Sequence, residues 1–320
     1  MAAQGAQVPC GKCGTTSTFF AAVFYVRQLV ERYLAARREL EVLKQIEANP
    51  EQDVPAASAA APVPSEPALM KDDLQNTKVL ATVAQHQALQ DWFSSKHIKA
   101  NFDFSLVDTT GFFDEAAKGI GDQFELLSGP IERVRYAYRK NFAWVNLDLS
   151  KYDPEDARAI NDFFRGLYSH TFFSRYAYQK QKMMIGLAVQ PALVIRSFFE
   201  GGWLEWYAFI TLLNLCVERG RTFSCARSVK IEFQDEELRE LDVAFLINGQ
   251  APIFIECKSG EFRGEIQKYV KFRRRLGVDR TQFIICSTDL TAEQATGLTA
   301  MYELTFVNLD SLKNHVGSLI

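Results

Sequence analysis

The sequence lacks both a secretory signal and a long apolar run. Its 320 residues contain no stretch of eighteen uninterrupted apolar residues, the length at which a membrane-spanning helix becomes a candidate. The apolar segment at residues 19–26 is ended by Arg27, and Glu31 follows, which is too early for a helix to cross a bilayer. We therefore expect a protein of the cell interior, with a cytoplasmic location and no membrane partner.

An excess of one charge is also lacking, and cysteine is sparse. The net charge is −3, so any surface that attracts a polyanion must be local. The six cysteines are scattered, and those at 216, 225, 257 and 286 lie in apolar runs where a reduced, buried thiol is expected. Cys10 and Cys13 have the spacing of half a zinc site. No second Cys/His pair follows at a usual distance, which favours two free thiols.

Proline marks the clearest boundary in the chain. Five prolines fall among alanines in residues 49–69, a composition typical of a semi-extended linker. The length suggests roughly two domains. The remaining segments are predicted as a flexible tail at 1–17, a long helix at 18–48, a helical domain at 70–197, and a domain of mixed strands and helices at 198–320.

Residues 241–258 read as two short apolar strands joined by a turn. Asn248-Gly249 tolerates the positive φ angles of a tight hairpin turn. With a three-residue loop, Asp242 lies directly opposite Glu256, whereas a two-residue loop shifts this pairing by one position. Two carboxylates and the amine of Lys258 then converge at one end of the hairpin. The alternative is a solvated surface strand, but the apolar run before Glu256 argues against it, because an unpaired carboxylate there is costly.

Carboxylates at this spacing suit a hard divalent cation such as Mg²⁺ or Mn²⁺. A neighbouring lysine can hold an attacking water or neutralise charge on a phosphate. Asp242, thirteen further residues, and then Glu256-Cys257-Lys258 resembles the core of the PD-(D/E)XK nucleases. The resemblance implies a restriction-endonuclease-like mixed sheet flanked by helices. It also implies a metal held by Asp242, Glu256 and the Cys257 carbonyl, with Lys258 orienting or activating a water for in-line attack on a phosphodiester.

A second motif, Gly-Gly-Trp-Leu-Glu-Trp-Tyr at residues 201–207, precedes an apolar helix. With the hairpin, it resembles the nuclease domain of the cyclic-oligoadenylate-activated ancillary nucleases of type III CRISPR systems, over residues 198 to about 309. The resemblance implies that Glu205 joins the metal site. Alternatively, Glu205 is a first-turn acid favoured by the helix dipole. Members of that branch carry a ligand-sensing domain of alternating strands and helices. Residues 72–191 lack this alternation, so control by a cyclic oligonucleotide is not predicted.

Local basic segments are the candidates for nucleic-acid binding. Cations outnumber acids in residues 261–280, and we expect this helix to contact a phosphate backbone through Gln267, Lys268, Lys271, Arg273, Arg274 and Arg275. A solvated helix face is the simpler alternative. Residues 131–146 and 172–182 interleave cations with aromatics. That pattern suits base stacking, but it also suits amphipathic elements whose aromatics are core.

The combined expectation is an α+β or α/β protein in which a mostly helical N-terminal region precedes the mixed sheet. Its predicted function is a Mg²⁺- or Mn²⁺-dependent nuclease with a role in defence. It is expected to cut phosphodiester bonds endonucleolytically, in DNA rather than RNA. The alternatives are a catalytically silent nucleic-acid-binding or protein-interaction module on the same fold, and a helical adaptor. A homodimer is left open.

Overall fold

The computed structural model describes residues 7–9, 16–18, 83–103, 111–233 and 238–320. Residues Met1–Ser65 and Glu66–Ile320 form two compact units. In the first unit, β1 (Gln7–Pro9) pairs antiparallel with β2 (Thr16–Thr18). The remainder of the predicted helix at 18–48, the proline-rich segment, Cys10 and Cys13 lie outside the described residues.

The second unit contains the other described α-helices and strands. In chain order these are α1 (Val83–Ser95), β3 (Lys99–Asn101), α2 (Phe112–Asp122), α3 (Phe124–Arg139), β4 (Trp144–Asp148), α4 (Pro154–Ser169), β5 (Phe173–Gln179), β6 (Met184–Val189), α5 (Leu193–Ser197), α6 (Trp203–Glu218), β7 (Phe223–Glu232), β8 (Arg239–Ile247), β9 (Ala251–Lys258), α7 (Ile266–Leu276), β10 (Phe283–Ser287), α8 (Ala292–Met301), β11 (Thr305–Val307) and α9 (Leu309–Leu319).

A six-stranded mixed sheet organises this unit. Its strand order is β11-β10-β9-β8-β7-β3. Strands β9, β10 and β11 are parallel, whereas β8, β7 and β3 run antiparallel to their neighbours. Helices α7 and α8 make the crossovers that parallel neighbours require. The predicted α+β class, with a mixed sheet flanked by helices in the C-terminal region, is confirmed.

The edge of this sheet is supplied by chain that precedes residue 198. Strand β3 pairs with the end of β7 through Lys99–Glu232, Ala100–Ile231 and Asn101–Lys230. Helix α1 packs beside it, and its Phe93 ring centroid lies 5.9 Å from that of Phe254 in β9. The mixed sheet is therefore not confined to the predicted segment 198–320.

The predicted helical domain at 70–197 also contains strands. β4, β6 and β5 form a separate three-stranded antiparallel sheet. In β4, Val145 and Leu147 are buried while Trp144, Asn146 and Asp148 are exposed, the two-residue period of a half-buried strand. The expectation of helix was wrong at Phe173–Gln179 and Met184–Val189, where aromatic and branched apolar residues favour strands.

The core occupies both faces of the mixed sheet. Helix α6 covers one face, where Leu204 and Leu212 join Phe245 and Ile255 in a cluster that extends into α2, α3 and α4. Helix α7 covers the other face. One core thus includes residues from both predicted domains, and each large apolar side chain that it buries contributes about 1.5–3 kcal/mol. None of the described helices is both long and apolar enough to span a membrane.

Candidate active site

The candidate active site lies at the open end of the hairpin formed by β8 and β9. Asn248 (φ 51°) and Gly249 (φ 68°) both adopt the left-handed conformation that the predicted turn requires. Ile247 pairs with Ala251, so the loop spans Asn248 to Gln250. This is the three-residue alternative of the two considered from sequence.

The register decides which residues face each other at the open end. Val243 pairs with Ile255, and one further step along both strands brings Asp242 opposite Glu256. At this position the backbone N–H of β9 donates to a side chain of β8 and not to a backbone carbonyl. The Asp242 Oδ2 atom accepts a bond of 2.7 Å from the backbone N–H of Cys257. This bond holds the Asp242 carboxylate at the end of the ladder.

Lys258 joins the two acids. Its Nζ lies 3.0 Å from Glu256 Oε2 and 3.4 Å from Asp242 Oδ2. The same Nζ lies 5.3 Å from the ring centroid of Tyr269 in α7, within the range of a cation–π contact. Burial lowers the pKa of Lys258, but the charges of Glu256 and Asp242 outweigh it and raise the pKa above its ordinary value. The amine is therefore a fixed ammonium group.

Glu256 is the most buried acid of the group. It is 3% exposed, and its Oε1 atom is buried without a hydrogen-bond partner in the described part of the chain. Burial raises the pKa of Glu256, the negative charge of Asp242 raises it further, and Lys258 opposes both. An unpartnered buried carboxylate oxygen costs free energy, which the fold tolerates at this position.

Glu205 lies in the first turn of α6. Its Oε2 atom is 2.9 Å from Nη1 of Arg227 in β7. The guanidinium carbon of Arg227 lies 3.8 Å from the ring centroid of Trp206. Burial raises the pKa of Glu205, Asp242 raises it further, and Arg227 opposes both. The charge of Asp242 therefore acts on the Glu205 carboxylate, whose own hydrogen bond is to Arg227.

Cys257 connects α6 to the hairpin. Its Sγ lies 3.7 Å from the carbonyl oxygen of Leu204, the residue before Glu205. The structure therefore brings Asp242, Glu256 and Lys258 into direct contact and places Glu205 beside them. Within the described residues, no group of three or more His, Cys, Asp and Glu side chains is arranged to hold a metal ion. Glu205 forms its ion pair with Arg227 and, among the residues that the structure describes, makes no hydrogen bond to those of the hairpin.

The cations of α7 have their own partners. Arg274 makes a two-bond ion pair with Glu303 at 2.9 and 2.6 Å. Arg273 contacts the same carboxylate at 2.7 Å and the carbonyl of Val278. Lys268 pairs with Glu265 at 3.5 Å. The ion pairs of Arg273 and Arg274 compete with phosphate contacts, so their predicted role in binding nucleic acid stays a prediction.

The remaining predicted residues of α7 are exposed. Gln267 is exposed near the start of the helix. Lys271 and Arg275 lie near its end, where they line a cavity of about 360 Å³ with Phe233, Arg239, Phe272 and Arg274. The guanidinium of Arg275 lies 4.6 Å from the ring centroid of Phe233.

Sequence reasoning missed two arginines that contact the site. Arg227 supports Glu205, and Arg135 of α3 donates from Nη1 to the carbonyl of Ser259 at 2.9 Å, one residue after Lys258. A signal for Arg227 exists, because a single cation within the apolar run around Cys225, Ala226 and Val229 needs a buried partner. Arg135 carries no comparable signal, since its contact joins residues 124 positions apart.

Fold and site together define an α+β protein with two acids and a lysine at the end of a central hairpin. No known family model matches the chain, and no curated protein matches it in sequence. Its fold is similar to that of protein VC1899 from Vibrio cholerae, with 19% identity and a TM-score of 0.50. It is also similar to Can2 from Sulfobacillus thermosulfidooxidans, solved in complex with cyclic tetra-adenylate, with 16% identity and a TM-score of 0.51.

Each likeness covers 72% of this chain and 60% of the other protein. The chain therefore spans well under two thirds of the length of the proteins that it resembles. At these identities the likeness shows a shared fold. The ligand in the Can2 structure is cyclic tetra-adenylate.

Proposed function

We propose that the protein is a metal-dependent nuclease of the PD-(D/E)XK type that hydrolyses phosphodiester bonds of nucleic acid. The observation that carries the proposal is the contact of the Lys258 ammonium with both Asp242 and Glu256 at the end of a buried hairpin. The likeness in fold to Can2 supports the same reading. DNA is the proposed substrate rather than RNA, and the proposed cleavage is endonucleolytic.

The donor atoms at the end of the hairpin are of the chemical kind that a hard divalent cation binds. Carboxylate oxygens are the ligands that Mg²⁺ and Mn²⁺ prefer. The unpartnered Oε1 of Glu256 is a free ligand position in a buried place. Asp242 and Glu256 would hold the ion together with the Cys257 carbonyl, and Glu205 would join them as a further carboxylate.

Such a cation, when bound, would polarise the phosphate and the attacking water. Lys258 would act on the same groups through its fixed positive charge, which stabilises negative charge as it develops on the phosphate. The hydrogen bond from Cys257 N–H would keep Asp242 in place during the reaction. Arg227 would hold the Glu205 carboxylate beside the hairpin acids.

Cleavage assays on circular substrates test the proposal. Purified protein is incubated with plasmid, circular single-stranded DNA or RNA, in Mg²⁺, Mn²⁺ or EDTA. We expect cutting of at least one DNA substrate with a metal and none in EDTA. Circles have no ends, so their cleavage identifies endonuclease action. Asp242→Ala should abolish cleavage without unfolding the chain. Its matched control is Glu293→Ala, which removes an exposed acid in the first turn of α8 and should leave cleavage unchanged.

Two results would contradict the proposal. The first is full cleavage by Lys258→Ala on every substrate. The second is a wild-type protein that cuts nothing in either metal and still shifts a labelled oligonucleotide in EDTA. That second result would favour the silent binding module on the same fold.

A further inference from the structure

The Trp144 side chain lies over Gly186 of the three-stranded sheet and is partly exposed to solvent. A Cβ atom at Gly186 of the neighbouring strand would sit 2.7 Å from Trp144 Cζ2, so the indole rests directly on the glycine. The indole Nε1 donates to Asn146 Oδ1 at 2.9 Å. The ring is thus held in one orientation with its N–H satisfied, yet 42% of the residue is exposed.

The face of the sheet that carries Trp144 has exposed residues on β4 and β5. The register sets Trp144, Ala188 and Arg175 in one row across the three strands. Neighbouring strands are about 4.8 Å apart, so Arg175 lies roughly 10 Å from Trp144 across a small alanine. The opposite face packs on α4, where the Tyr176 hydroxyl donates to Asn161.

Two further aromatic side chains are exposed next to Trp144 in the chain. Phe142 is 51% exposed and Tyr136 is 46% exposed, and their ring centroids are 6.1 Å apart. The Nζ of Lys140 lies 5.9 Å from the Tyr136 ring centroid. We call Tyr136, Phe142 and Trp144, with Lys140 and Arg175, the aromatic face.

The charge around the aromatic face is positive although the protein is acidic overall. Residues 133–144 and 173–182 contain no Asp or Glu, and their cations are Arg133, Arg135, Arg139, Lys140, Arg175, Lys180 and Lys182. Two of these, Arg135 and Arg139, pair with Glu132, and Asp148 is the acid on the exposed face of β4. Lys140 and Arg175 form no ion pair with any described residue. The cores of protein–protein interfaces are depleted of charge, whereas exposed aromatics among cations are typical of single-strand binding.

We propose that the aromatic face binds single-stranded nucleic acid, with bases stacked on Trp144 and Phe142 and phosphates near Lys140 and Arg175. The inference assigns single-stranded nucleic acid as the substrate of the proposed nuclease, and that assignment rests on the proposed function. Helix α3 connects the aromatic face to the end of the hairpin where Lys258 lies. It carries Tyr136, and its Arg135 contacts the carbonyl of Ser259 beside the catalytic hairpin.

Binding is measured in EDTA, so that it does not depend on cleavage. The full-length protein is titrated with deoxythymidine or uridine oligomers and with a duplex of equal length, and intrinsic tryptophan fluorescence is recorded. Trp203 and Trp206 are buried and Trp92 is partly buried, so Trp144 is the most exposed of the four tryptophans. We expect single strands to quench the fluorescence and Trp144→Phe to remove most of that quenching.

Affinity is measured separately by anisotropy of a labelled oligomer. We expect Trp144→Ala and Phe142→Ala each to weaken single-strand binding roughly tenfold, the scale of one lost base stack. Met301→Ala removes an apolar side chain of α8 that is even more exposed, and binding should be unchanged. Circular dichroism and Tm verify that each variant is folded.

Unchanged single-strand affinity in folded Trp144→Ala and Phe142→Ala would overturn the inference, as would binding of duplex alone. Concentration-dependent dimerisation that Trp144→Ala abolishes, with oligomer binding intact, would assign the face to a second copy of the chain instead. An inactive protein that still binds single strands through Trp144 would refute the proposed nuclease and leave this inference standing.

Discussion

Arg227 and Glu205 form an ion pair of 2.9 Å, from Nη1 to Oε2, beside the hairpin acids. The Arg227 side chain is 10% exposed and the Glu205 side chain 25%, and Trp206 stacks on the guanidinium. The pair holds the Glu205 carboxylate near those of Asp242 and Glu256, whose negative charges repel it. Arg227 is therefore a positioning residue for Glu205.

This pair predicts a measurable coupling. Arg227→Met should lower the free energy of unfolding by about 3 kcal/mol, because it leaves the Glu205 charge partly buried without a partner. Adding Glu205→Gln to Arg227→Met should recover part of that loss, since it removes the stranded charge. Urea unfolding of the two single variants and the double variant measures the coupling. Strictly additive losses would show that the two side chains do not support each other.

The second prediction concerns the catalytic lysine. Lys258→Met removes the ammonium and keeps the length of the side chain, so cleavage should fall by at least about a hundredfold. Single-turnover rates on the substrate that the wild type cuts measure the loss. Lys313→Met, which changes a lysine of the C-terminal helix α9, serves as the control. A fall of less than tenfold for Lys258→Met would remove the lysine from the mechanism.

A third prediction concerns metal binding without reference to activity. Mn²⁺ should raise the Tm of the wild-type protein by several degrees, because an ion at about a hundred times its Kd stabilises the folded state by about 2.7 kcal/mol. Asp242→Asn and Glu256→Gln each remove a proposed ligand charge and should abolish the shift. Differential scanning fluorimetry against a magnesium and manganese series provides the measurement. An equal shift in wild type and both variants would place the ion elsewhere.

The fourth prediction concerns the buried thiols. Burial raises the pKa of Cys216 to about 12 and that of Cys286 to about 12. Both groups are therefore neutral thiols at pH 8, and a neutral thiol is a poor nucleophile. Iodoacetamide at pH 8 should leave both unmodified in the native protein and modify both in urea, as read by peptide mass spectrometry. Rapid native labelling of Cys286 would contradict its burial in the cluster that includes Leu312 and Val316 of α9.

The hairpin was predictable because its signals are local. Asn248-Gly249 sets the turn by backbone chemistry alone, and alternation sets the faces of Asp242 and Glu256. Strands β5 and β6 were not predictable in the same way, since neither the mixed basic and aromatic residues of β5 nor the short apolar run of β6 shows a clear two-residue alternation. Strand β3 is three residues long, and its partner in β7 lies some 130 positions away along the chain. No local pattern identifies such a partner.

The sequence by itself determined the α+β class, the turn between β8 and β9, and the two acids and the lysine that the hairpin brings together. These depend on interactions between residues close along the chain, where φ preference and two-residue periodicity decide the outcome. Tertiary structure alone decided that Arg227 supports Glu205, that Arg135 reaches Ser259, and that Trp144 lies over Gly186. Each of these contacts joins residues far apart in sequence, and packing of the whole unit selects them.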